Sequence, residues 1–187
     1  MKLRIQYNAP VVLTFALVSL VVLVLDFLTN GYTTFHLFSV YRAPLSDPLT
    51  YIRMVGHTLG HSGYAHYMGN MMLLLVVGPP LEEKYGSERL LFFIFFTALV
   101  SGLVQFIFFP STALLGASGI VFMMIVLSSL SGMKEGTIPL TLILVGGLYL
   151  GGELIAAVSA QDNVSQLTHV VGGLCGAGLG FWMGRRT

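Results

Sequence analysis

Six stretches of this 187-residue chain are apolar over a length that meets or approaches what a bilayer crossing requires, and they leave little sequence for anything else. A spanning helix needs about 20 mostly apolar residues. The runs at 10–28, 65–81, 90–109, 117–132, 138–159 and 166–183 supply them, so the expected fold is all-α, a polytopic membrane protein with six transmembrane helices. Composition agrees: 55% of residues are hydrophobic, 9% are charged and the mean hydropathy is +0.84, so water is not the main solvent. A net charge of +1 offers no basic field for nucleic acid, which is excluded as a partner. The single Cys175 forbids an intrachain disulfide. Lys2 and Arg4 ahead of the run Val11–Leu25 resemble the start of a secretory signal. Asp26, Phe27 and Leu28 stand where a small-residue cleavage site belongs, so the run reads as a retained helix.

The second and fourth stretches are short, as for helices that begin below the membrane surface inside a protein-lined, wet depression. Breaks are expected at Gly78, Pro79 and Pro80 with the charged run Glu82–Arg89, at Pro110, at Gly132–Gly136 and at Gln161–Ser165. One connection is long, the external loop 29–64, with Pro44, Pro48, Arg42, Arg53, His57 and His61. Nothing repeats at a fixed period, so residues 1–187 read as one membrane domain. Lysine and arginine favour the cytoplasmic side. Placing both termini there puts Lys2, Arg4, Lys84, Arg89, Lys134, Arg185 and Arg186 inside and only Arg42 and Arg53 outside. The second, fourth and sixth helices then all start at the outer face.

Polar side chains inside spans are costly and mark function. His66 and Asn70, four apart, share a face of the second helix. The fourth begins Gly116, Ala117, Ser118, Gly119, and the sixth carries His169 about a turn after Asn163 or Ser165. All three sets fall at one depth. A serine needs a neutral imidazole to take its proton, and a tetrahedral oxyanion needs preorganised donors. Ser118, His169 and the donors His66, Asn70 and the Ser118 amide make that inventory. Gly172, Gly176, Gly180 and Gly184 form a small-residue ridge on which the fourth helix can close.

Together these motifs resemble the rhomboid family of intramembrane serine proteases. His61, His66 and Asn70 are similar to its second-helix pattern, and Glu82 with Gly86 and Ser87 to the cytoplasmic turn that follows. Gly116–Gly119 is similar to its GxSG, and His169, Gly172 and Gly176 to its HxxGxxxG. The resemblance covers about residues 50 to 180. It implies a rhomboid-like six-helix bundle in which Ser118 is the nucleophile and His169 the general base, with no third carboxylate. His66, Asn70 and the Ser118 amide would hold the oxyanion, with Gly116, Ala117 and Gly119 shaping the turn. Two departures stand out: Ile52 precedes Arg53 where many members have tryptophan, and Phe122 replaces a tyrosine that stacks on the catalytic histidine. Phe122 keeps the aromatic face, so activity is expected to survive.

His57, His61 and His66 invite a metal reading, but Thr58 stands where the HExxH zinc motif needs glutamate. No metal and no cofactor is expected, and His57 and His61 are read as loop-organising. The expected function is an endopeptidase that cuts transmembrane protein substrates near the outer face through an acyl-enzyme. Its expected setting is membrane lipid, in a prokaryotic cytoplasmic membrane given the short chain without an organelle presequence. Segment 161–165 is a candidate movable cap. The rival readings are a small transporter or channel lined by His66, His169 and Glu153, and an inactive relative that binds membrane proteins without cutting them.

Overall fold

The computed structural model describes residues 6–131 and 163–184, with isolated positions between 137 and 147. The expected span at 138–159, Glu153 included, lies almost wholly outside these residues. Seven helices form among the described residues: α1 (Pro10–Leu28), α2 (Tyr32–Leu37), α3 (Pro48–Gly56), α4 (Tyr64–Tyr85), α5 (Ser87–Phe108), α6 (Ser118–Leu130) and α7 (Asn163–Gly184). Three stretches, Pro10–Leu28, Ser87–Phe108 and Leu167–Gly184, are long and apolar enough to cross a membrane by length and composition.

α6 occupies the middle. Ile120, Met123, Met124 and Leu127 are fully buried, and α4, α5 and α7 all pack on it. Its 13 residues span roughly 20 Å. By contrast Val21 and Leu25 of α1 and Phe92, Phe95 and Phe108 of α5 are exposed, an apolar surface suited to hydrocarbon. The phenylalanines of α5 serve both environments, since Phe93 and Phe106 are buried.

The expected break at Gly78–Pro80 does not occur. α4 runs on through Pro79 and Pro80 to Tyr85, so this helix is 22 residues long rather than short. A proline in a helix interior removes a hydrogen bond and crowds the carbonyl four residues back, at about 3 kcal/mol. Tertiary anchoring beyond the prolines overrides that. Leu81 is buried, and the buried Glu82 carboxylate accepts the N–H groups of Val11 and Val12, each at 3.0 Å, and the Ser87 hydroxyl at 2.7 Å. The first-turn donors of α1, which no helix can satisfy internally, thus find a carboxylate on another helix. The chain reverses at Gly86, whose φ of +83° suits glycine. Glu82→Ala is expected to orphan two N–H donors, that of Val12 buried and that of Val11 partly so, and cost about 2–4 kcal/mol; a thermal unfolding scan in detergent checks it, with Glu82→Gln retaining part of the loss.

The long connection 29–64 is organised. Asp47 caps α3 by accepting the Leu49 N–H at 3.0 Å, with Pro48 at the first helical position. Arg53, whose role the sequence left open, is buried: it donates to the His36 carbonyl at 2.7 Å and to Asp47 at 3.1 Å, beneath the ring of Tyr41. α3 lies on α5 where Gly102, lacking a side chain, meets the Met54 carbonyl.

Candidate functional site

Three segments far apart in sequence converge at the N-terminal end of α6. Leu114 pairs with Val40 of the long loop through two N–H to carbonyl bonds of 2.9 Å, and the Gly116 N–H donates to the His57 carbonyl at 2.9 Å. These bonds fix the strand of chain leading into Ser118. Gly116 holds φ at +117°, and a side chain there would strike the His66 ring, with Cε1 and Nε2 within 2.7 and 2.8 Å of its first carbon. Asn70 Nδ2 lies 3.8 Å from the same point. So Gly116, His66 and Asn70, separated by up to 50 positions, share one corner.

α7 reaches that corner through backbone contact. Gly119 faces Thr168, whose Cγ2 would be 3.0 Å from an added side chain, and Gly172 faces the Gly119 carbonyl so closely that even a methyl group would overlap it. Gly176 meets Met123 and Gly180 meets Leu130, so three of the ridge glycines rest on α6 while Gly184 does not. The contact places the turn carrying His169 beside the first turn of α6. The Phe122 ring lies 6.4 Å from the His169 imidazole, centroid to centroid and tilted by 59°. Ser118 and His169 are both half-buried.

Ala117 precedes α6 and has no side-chain oxygen with which to cap it, so among the described residues no side chain caps the first-turn N–H groups at Ser118. Asn70 Nδ2 is buried without a protein acceptor among the described residues. The Ser62 N–H donates to His66 Nδ1 at 3.4 Å, and its hydroxyl lies 3.1 Å from the same atom. Since a backbone N–H can only donate, Nδ1 is the acceptor and the imidazole proton sits on Nε2, the atom beside Gly116. Ser62 escaped the sequence reading: a bond from a loop to the next helix leaves no periodic trace.

His57 and His61 organise the loop, as their positions suggested. His57 Nδ1–H donates to the Arg53 carbonyl and His61 Nδ1–H to the Leu59 carbonyl, each at 3.2 Å. The His61 ring braces that of His66 edge-on at 5.0 Å. Burial lowers the pKa of each from 6.5 to about 4. Both are neutral when folded, whereas the unfolded chain takes up protons below about 6.5. Stability is therefore constant above that pH and falls as pH drops toward 4, by about 3 kcal/mol per histidine at the lower edge. Thermal scans across that window check this, and replacing either histidine by asparagine should flatten the slope.

A helical bundle with an apolar exterior and helices long enough to cross a bilayer defines an integral membrane protein. Residues 48–186 match the family model of the rhomboid domain, and the chain belongs to the rhomboid family. It is similar to mouse rhomboid-related protein 2, 28% identical over 73% of this chain and 52% of that protein. It is also similar to rhomboid-like protein 15 of Arabidopsis thaliana, 28% identical over 80% of this chain and 41% of the relative. Rhomboid protease GlpG of Pectobacterium atrosepticum is 26% identical over 95% of this chain and 64% of its own length. The chain thus spans roughly two fifths to two thirds of the length of these relatives.

Proposed function

We propose that the protein is an intramembrane serine endopeptidase that cleaves transmembrane protein substrates near the outer membrane face. The observation that carries this reading is the glycine contact between α6 and α7, which sets the turn of Ser118 against the turn of His169 while His66 and Asn70 border the same corner. Membership of a family that includes proteases supports it. In this reading the fold is a six-span bundle with both termini cytoplasmic, in a prokaryotic cytoplasmic membrane, and the site opens outward.

His169 removes the Ser118 proton as the hydroxyl attacks a substrate carbonyl, and later returns it to the leaving amine. The oxyanion accepts from the Ser118 amide, His66 Nε2–H and Asn70 Nδ2–H, donors fixed before substrate arrives. Water then hydrolyses the acyl-enzyme by the same route. A spanning helix hides its carbonyls in its own hydrogen bonds, so substrates with small or helix-breaking residues near the cut are preferred. Asn70→Ala removes one oxyanion donor and is expected to lower kcat about a hundred-fold with KM little changed, read by steady-state cleavage kinetics.

The test is reconstitution of the intact chain and of Ser118→Ala with a labelled transmembrane substrate. Cleavage by the former alone supports the nucleophile. Cleavage that persists in the variant removes it, capture without cutting by the intact chain favours an inactive binder, and solute or proton flux indifferent to Ser118→Ala favours transport.

A further inference from the structure

The C-terminal ends of α4, α6 and α7 and the first turn of α5 enclose a second hollow, of about 160 Å³, at the end of the bundle remote from Ser118. Lys84, Tyr85 and Arg89 line it together with Leu130 and Met183. A side chain built at Gly184, on its rim, would meet nothing within 4 Å. Among the described residues no carboxylate lines it. Glu82 and Glu83 border a separate polar hollow with Gly86 and Ser87, and Glu88 lies about 100° round the helix axis from Arg89.

The two cations are differently committed. Lys84 Nζ donates to the Ser131 carbonyl just beyond α6, which satisfies an acceptor at that helix end and holds the ammonium at the wall. Arg89 is exposed and makes no hydrogen bond or ion pair among the described residues. In an integral membrane protein this end of the bundle lies where hydrocarbon gives way to water. A guanidinium and an ammonium beside an apolar wall at that level suit a molecule anionic at one end and apolar at the other.

We propose that this hollow binds the phosphodiester of an anionic phospholipid. Arg89 pairs with two phosphate oxygens, as its planar fork of donors allows, Lys84 adds the second charge, and the acyl stem lies along Leu130 and Met183. A zwitterionic lipid carries the same phosphate, but its own cation offsets Lys84 and Arg89, so the anionic lipid is preferred by about five-fold per protein cation. Free phosphate would leave the apolar wall uncovered.

The chain carries its own reporter, since its one tryptophan, Trp182, stands beside Met183 and Gly184 on α7. Purified protein in phosphatidylcholine vesicles is titrated with acyl-brominated phosphatidylglycerol or acyl-brominated phosphatidylcholine, and Trp182 quenching is recorded. Half-quenching should need several-fold less of the anionic lipid. Arg89→Gln with Lys84→Gln should abolish that preference while quenching by brominated phosphatidylcholine stays unchanged, which shows the variant still embedded. Equal quenching by the two lipids, or a preference that survives loss of both cations, overturns the proposal. So does relief of the anionic quenching by inorganic phosphate, which would assign the hollow to a free anion. None of these readouts depends on proteolysis.

Discussion

Gly172→Val should abolish substrate cleavage and lower the stability of the purified protein by about 3 kcal/mol or more. Gly172 faces the backbone carbonyl of Gly119 with no room for a methyl group, and a backbone atom in a buried helix cannot swing aside as the tip of a side chain can. α6 and α7 must part, and displacement of reacting groups by about 1 Å already costs about a hundred-fold in rate. Gly178 supplies the control. It lies on the same helix, yet a side chain there meets nothing within 4 Å. Gly178→Ala should therefore leave cleavage intact and stabilise the helix slightly, by up to about 1 kcal/mol. Thermal scans and cleavage assays on the pair separate close packing from a general intolerance of substitution in α7.

His169→Gln should reduce kcat by about four orders of magnitude or more, with KM within a few-fold of the parent. Glutamine occupies similar space and can still hydrogen-bond, but it cannot accept the Ser118 proton and return it. The loss should not be recovered at any pH, because no titrating group takes the role. Asn70→Ala leaves proton transfer intact and should fall far short of that loss. A smaller effect at His169 than at Asn70 would mean that the imidazole packs against Phe122 without taking part in the reaction.

Much of the corner was legible because its components obey local rules. His66 and Asn70 are four apart on one helical face, Ser118 sits among small residues at a helix start, and the glycine ridge has a fixed spacing, so each motif could be seen without knowing its neighbours. The expectation that they meet rested on helix direction. What escaped depends on partners distant in sequence. Pro79 and Pro80 read as a stop because the breaker is local, whereas the grip of Glu82 on the first turn of α1 spans about 70 positions. Arg53 was a loop cation of open role, and it is buried because a carbonyl at His36, a carboxylate at Asp47 and the ring of Tyr41 surround it. Ser62 is a loop residue like many others until its N–H is seen to fix the tautomer of His66.

Those long-range contacts also explain why the site keeps its shape without a capping side chain at α6. The long loop fastens the approach to Ser118 through Val40 and His57, α7 closes on its far side through Gly172, and His61 steadies His66. Loosening any of the three should disturb the reaction before it unfolds the bundle.

Covalent labelling tests the central claim most directly. Intact protein in detergent is treated with a serine-directed fluorophosphonate and the adduct is located by mass spectrometry of peptides. One adduct, on Ser118, formed rapidly by the parent and scarcely at all by His169→Gln, is the predicted result. An adduct on a different serine, or modification of Ser118 at an undiminished rate without the imidazole, would contradict it.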